Sequence, residues 1–241
     1  MVELTPIEAV QGIFTLIFIT ISIILGLKIS LKYFKFKRRE FFLAGFTIIL
    51  MVTPYFSSVV DFIMILWLGI QSSVIVVYIG ITLVAIASLT WMTLITDLLY
   101  KEKQKIILSI IFAQLIIFEI FVVYAIIVEP TLILIPYGER YYREAPILIG
   151  YYIFFLLLFL ITGFLFARET LKSSNKEIRL KGKFLIIALI SYVIGAVLDF
   201  AFEATALTVA LARLIQISAF TEFYLGFTLP EFVKKLLIKE V

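Results

Sequence analysis

Of the 241 residues, 63% are apolar and only 16% charged, with a mean hydropathy of +1.15; soluble domains average about 45–50% apolar and ~25% charged, so lipid must be the solvent for much of this chain. Cysteine and histidine are both absent, which excludes disulfides and thiolate chemistry and removes the usual neutral-pH proton shuttle and commonest transition-metal ligand. The net charge of +4 belongs to residues gathered on one side of the membrane, so it calls for no nucleic-acid partner.

In chain order, seven apolar stretches fall near 7–30, 41–66, 72–98, 106–128, 146–167, 184–202 and 207–229. Each is close to the ~20 residues that cross a ~30 Å hydrocarbon core. Glu3 and Glu8 lie at the entry to the first, which lacks the basic start and small-residue cleavage site of a signal peptide and is expected to stay in the mature chain. Pro54 lies inside the second, followed by Tyr55, Phe56, Ser57 and Ser58. Proline lacks a backbone donor, so a kink is expected there, with serine hydroxyls or neighbouring helices satisfying the freed carbonyl; Pro54 is a candidate hinge or a packing feature. Between Asp61 and Asp97 run 35 residues without a charge, too many for one crossing. The polar turn at Gly69 to Ser73 divides them into two antiparallel spans, and Asp61 and Asp97, near span ends, are expected to reach water.

The link 129–145 is the only sizeable one on its side. It holds Pro130, Pro136, Gly138 and the mixed-charge run Glu139 to Glu144, suited to an interfacial anchor or a ligand lid. Tyr33, Trp67, Tyr100, Tyr141 and Tyr142 lie near span ends, where aromatic anchors belong. After the seventh span, Pro230 is placed to open a tail helix over 230–240. Its Phe232, Val233, Leu236 and Leu237 share one face, away from Lys234, Lys235 and Lys239, as in a helix lying on an anionic leaflet.

The basic residues fix an orientation. The links after spans 1, 3 and 5 and the tail carry eighteen of the 21 Lys and Arg residues, whereas the opposite side has only Arg140 and Arg143. Short Lys/Arg-rich links stay cytoplasmic, which places the N-terminus outside and the C-terminus in the cytoplasm. The expected fold is therefore all-α: one polytopic seven-transmembrane-helix bundle over 1–241 with a short amphipathic tail helix, at home in the cell membrane among lipids.

Ionisable residues inside spans cost about 2.5–3.5 kcal/mol at a helix centre on insertion scales, so each needs a partner or a purpose. In span 6, Ser191, Gly195, Asp199 and Glu203 repeat every fourth residue; span 7 presents Thr208, Ala212, Gln216 and Ala219, with Arg213 at the edge. Asp199 and Arg213 are each seven residues from a turn centred near Ala206, so an antiparallel hairpin brings them to one depth. An Asp199–Arg213 ion pair with Glu203 as a second acid is expected, either as a helix clamp or as a ligand or proton site. Gln114, Glu119, Gln216 and Glu222 form a second candidate polar set, structural or functional; Glu119 has no basic residue in reach. Without Cys or His, and with no paired-aspartate motif in adjoining spans, no catalytic residue, metal site or cofactor is expected, and the chain is read as a non-enzyme.

The absence of a lysine between Lys183 and Lys234 excludes a retinal pigment tethered in span 7, and the absence of any Pro-Gln dipeptide weakens a carrier built from two three-helix repeats. The stretch Arg179-Leu-Lys-Gly-Lys183 running into Phe184-Leu-Ile-Ile-Ala-Leu-Ile resembles the start of span 6 in the seven-helix sensor modules of membrane histidine kinases, and in stand-alone archaeal-type seven-helix proteins of uncharacterised function. The likeness covers about the last third of the chain. It implies a receptor-like or sensory module, its ligand unidentified. In that family an effector follows the last span, whereas this chain stops at Val241, so a separate cytoplasmic or membrane signalling partner is expected. A small transporter or channel using Glu119 and Glu222 is the alternative.

Overall fold

The structure, a computed structural model, describes residues 3–137, 141–202 and 205–238. Helix α1 (Pro6–Ser30) starts at a capping box, in which Thr5 Oγ1 accepts from the Glu8 N–H and Glu8 Oε2 accepts from the Thr5 N–H. Two otherwise unpaired donors are satisfied at once. The short α2 (Lys32–Phe36) prolongs this rod until Lys37 turns left-handed, at φ 55°. Part of the first basic link is thus helical.

The second span is two helices, α3 (Arg39–Met51) and α4 (Phe56–Leu68), joined by a 3-10 turn at Thr53–Tyr55. Pro54 has no N–H for the Leu50 carbonyl. Thr53 Oγ1 takes over, 2.8 Å from Leu50 O and 3.1 Å from Gly80 O. Ser57, one of the expected hydroxyls, makes only a long 3.4 Å contact with Pro54 O. Gly80 allows the turn to lie close, because a Cβ there would stand 2.7 Å from Thr53 O.

Helix α5 (Ile75–Leu98) and helix α6 (Gln104–Val128) follow. The link after α6 holds an antiparallel hairpin of β1 (Leu134–Tyr137) and β2 (Tyr141–Glu144), pairing Leu134 with Glu144 and Ile135 with Arg143. Ile133 and Leu134 are buried against α5, α6 and α7, which roots the hairpin on the bundle. Helix α7 (Pro146–Leu171) leads to α8 (Lys176–Ala201), where Asn175 Oδ1 accepts from the Glu177 and Ile178 N–H groups. This cap starts α8 eight residues before the expected 184, so the basic run Lys176 to Lys183 is helical. Helix α9 (Ala206–Thr228) is capped by Thr205, and the tail helix α10 (Glu231–Leu237) lies inside the expected 230–240. Lys239, Glu203 and Arg140 lie outside the described residues.

Among the described residues, seven rods are long and apolar enough to cross a membrane. The chain is an all-α, multi-pass, seven-helix membrane protein with a short tail helix. Neighbours run α6, α5, α3, α1, α9, α8, α7, and α7 also touches α5, which closes the ring. Small residues set the closest approaches: a Cβ on Gly45 of α3 would lie 2.1 Å from Gly26 O of α1. Phe18, Phe159, Phe220 and Phe223 fill the middle, and Trp91 Nε1 donates to Thr162 Oγ1 at 2.8 Å. Outward isoleucine and valine side chains along α6, such as Ile117, Ile120 and Val123, face lipid.

Cations are paired at the basic end. Asp97 Oδ1 is held by Arg39 and, at 2.6 Å, by Lys101 Nζ, while Glu177 links Lys181 to Lys234 of the tail. The Asp97 side chain is 4% exposed, not hydrated as expected from its place near a span end, because these long cationic chains fold back over it.

Candidate ligand cavity and its buried ion pair

The α8–α9 hairpin carries the site. Gly195 lets the helices close up: a Cβ there would stand 2.6 Å from Gln216 Cγ. At that approach Arg213 Nη1 lies 2.9 and 2.7 Å from the two Asp199 carboxylate oxygens, with the arginine 4% exposed.

Three further residues complete the network. Arg213 Nε donates to Thr15 Oγ1 of α1 at 3.1 Å, and Arg213 Nη1 to Gln216 Oε1 at 3.0 Å. Gln216 Nε2 donates to Asp199 Oδ2 at 2.8 Å and to Tyr55 Oη at 3.0 Å; Tyr55 Oη donates to Asp199 Oδ2 at 2.9 Å. The guanidinium carbon also sits 4.3 Å from the Tyr55 ring centre and 5.8 Å from that of Phe18, within cation–π range. The charges are paired, Nε and Nη1 are hydrogen-bonded and the guanidinium lies near two ring faces, which offsets the desolvation of a buried ion pair. The network ties α8 and α9 to α1 and to the turn at Pro54.

One side of it faces a cavity of about 450 Å³, in the half of the bundle away from the basic end. Ligand pockets commonly hold 300–1,000 Å³. Leu148, Tyr152 and Phe155 come from one face of α7, and Tyr192, Ala196 and Asp199 from one face of α8; Ile81 and Val84 of α5 add apolar wall. Leu148 to Phe155 spans roughly 10 Å of helix at 1.5 Å per residue. Pro54, Tyr55, Ser58 and Asp61 line the opposite wall, and Tyr142 and Glu144 of β2 reach its outer part. A smaller space of about 120 Å³ shares Gln11, Ser58, Asp61 and Gln71 and adds Glu8.

The second candidate set is dispersed. Gln216 belongs to the ion-pair network. Glu119 Oε2 accepts from Thr82 Oγ1 at 3.1 Å, and Glu222 Oε1 from Ser218 Oγ at 2.8 Å; Gln114 Oε1 and the second oxygens of both acids are buried without a hydrogen bond. Gln114 and Glu119 lie on α6, which packs on α5, whereas α9 packs on α8 and α1. Helix order therefore separates Gln114 and Glu119 from Gln216 and Glu222. Gln114, Glu119 and Glu222 do not line the cavity.

Thr15 and Tyr192 carry no mark along the sequence, and Tyr55, Asp61 and Glu144 stand out there only as neighbours of Pro54, of a span end and of the mixed-charge link, not as site residues. A usable signal is present across the Pro54 turn and α4, where Pro54, Ser57 or Ser58, and Asp61 recur at helical spacing in an otherwise apolar stretch. For Thr15 there was none, since which helix faces Arg213 is a matter of packing order. No protein-family model matches the chain, and no curated protein matches it either.

Proposed function

We propose that the chain is a receptor-like or sensory membrane module that binds a small ligand in the cavity beside Asp199 and Arg213. The observation carrying this reading is a cavity of ligand size, about 450 Å³, one wall of which is a buried, hydrogen-bonded ion pair. A ligand that shifts the Tyr55 hydroxyl or the Asp199 carboxylate would act on three helices and the Pro54 turn together, because α1, α8, α9 and that turn share the network. With the basic links in the cytoplasm, the cavity lies in the outer half, and the cationic end meets a separate signalling partner. The role is binding rather than catalysis.

The test is native mass spectrometry of the chain purified from its own membranes, beside an Ala196→Trp variant that fills the cavity. The expected result is a small molecule carried by the wild type and lost from the variant. Finding neither a bound molecule nor a co-purifying protein would reject the reading. Solute flux in proteoliposomes that stops in a Glu119→Gln, Glu222→Gln variant would favour a carrier instead.

A further inference from the structure

We propose that the ligand of this cavity is a compact organic cation, an ammonium group on an apolar or aromatic body; the inference rests on the cavity being the binding site. Charge along the wall carries it. The lining holds the acids Asp61, Glu144 and Asp199 and one cation, Arg213. Arg213 and Asp199 neutralise each other at 2.7 Å, and the guanidinium is occupied by Asp199, Thr15 and Gln216. Among the described residues only its Nη2 makes no hydrogen bond, and the charge it carries is already balanced by Asp199.

The two remaining acids differ. Asp61 Oδ1 accepts the Ser72 N–H at 2.8 Å, which leaves its other oxygen available, and among the described residues neither Asp61 nor Glu144 forms an ion pair. The formal charge left on the wall is two negative. A carboxylate or phosphate entering would meet net repulsion, the one cation of the wall being already paired, whereas an ammonium would be attracted and hydrogen-bonded. The rings of Tyr152, Phe155 and Tyr192, in the same lining, suit the body of such a ligand, since aromatic faces attract cations and bury apolar groups. Ile81, Val84 and Leu148 complete an apolar surface that a bare metal ion would not use. A metal ion would need several oxygen ligands converging on one point, and among the described residues no such group of acids exists.

Purified full chain in lipid nanodiscs would be titrated calorimetrically at low salt with three probes of matched size: phenethylammonium, phenylacetate and 2-phenylethanol. Phenethylammonium should bind, with the anion and the neutral alcohol at least tenfold weaker. An Asp61→Asn, Glu144→Gln variant should lose phenethylammonium binding at least tenfold while keeping its thermal midpoint. Ala196→Trp should abolish it. Equal or tighter binding of phenylacetate or phenylethanol, or phenethylammonium affinity unchanged in the double variant, would overturn the cation class and leave the cavity reading standing. No binding of any probe at millimolar concentration would also overturn it. Binding that survives in Ala196→Trp would remove the cavity as the site, and both readings with it.

Discussion

Tyr55 Oη donates to Asp199 Oδ2 at 2.9 Å while the face of the same phenol ring lies 4.3 Å from the Arg213 guanidinium carbon. One side chain thus holds both members of the ion pair, the acid through its hydroxyl and the base through its ring. The residue follows Pro54 in the turn that interrupts the second span, so the break in that helix and the pair in the last two are mechanically one feature. Movement at the Pro54 turn must be accompanied by a change around Asp199, and the reverse.

Removing one member of the pair should cost more than removing both. Asp199→Ala leaves Arg213 buried without its counter-charge, for which about 3–5 kcal/mol is typical. Asp199→Leu combined with Arg213→Met replaces the pair by apolar groups and should recover much of that loss. Thermal midpoints of the single and double variants in nanodiscs would measure it; a double variant less stable than Asp199→Ala would contradict the expectation.

Tyr55→Phe keeps the ring over Arg213 and removes the hydroxyl, an acceptor for Gln216 and a donor to Asp199. Hydrogen bonds between membrane helices average about 0.6 kcal/mol and reach about 1.7. A loss in that range is expected, smaller than that of Tyr55→Ala, which also deletes the cation–π contact and leaves a void. Chemical unfolding of the two variants side by side would separate hydroxyl from ring.

Much of this arrangement is legible along the chain, but unevenly. Apolar runs and basic links are one-dimensional signals, and the helices observed follow them closely except where basic residues continue a helix, as at Lys176 to Lys183. The Asp199–Arg213 pair needs only an equal count from a tight turn, because antiparallel helices advance by the same rise per residue. Thr15 and Tyr55 lie beyond such counting, since their place beside Arg213 depends on which helices neighbour α9. The hairpin at Leu134 to Glu144 was hidden for another reason: its alternation is short and lies among prolines and aromatics that equally suit an irregular interfacial loop. The cavity has no sequence signature at all, being the space that side chains of six of the seven spans and of the hairpin leave unfilled.

Two glycines in helices should respond oppositely to alanine. Gly195→Ala would set a methyl 2.6 Å from Gln216 Cγ, and that glutamine is fixed by bonds to Arg213, Asp199 and Tyr55. The neighbour has no room to yield, so about 1–3 kcal/mol of destabilisation is expected. Gly150 meets nothing within 4 Å of an added Cβ, so Gly150→Ala should be neutral or stabilising by up to about 1 kcal/mol, from helix propensity. Thermal midpoints that move in the same direction would refute the close α8–α9 contact.

The hydroxyl of Thr53 replaces a backbone donor that Pro54 lacks, 2.8 Å from the Leu50 carbonyl. Thr53→Val has nearly the same shape and no donor, so the Leu50 carbonyl keeps only the Val52 N–H and a loss of about 0.5–1.5 kcal/mol is expected. Thr53→Ser retains the donor and should lose less. If Val and Ser variants melt together, the methyl group rather than the hydrogen bond is what matters at the break.

The sidedness of the bundle can be read without a background, because the chain holds no cysteine and any thiol introduced is the only one present. Gln71 lies in the link between α4 and α5, and Ser173 in the link between α7 and α8, where the basic residues Lys172 and Lys176 flank it. Even- and odd-numbered crossings put these two links on opposite sides of the membrane whatever the absolute orientation, so a single membrane-impermeant maleimide must distinguish them. With the Lys- and Arg-rich links retained in the cytoplasm, Gln71→Cys should label on intact cells and Ser173→Cys only after permeabilisation. The reverse pattern would invert the bundle and put the ligand cavity on the cytoplasmic side. Equal labelling of both on intact cells would mean an even number of crossings between them, which three intervening spans, α5, α6 and α7, do not permit.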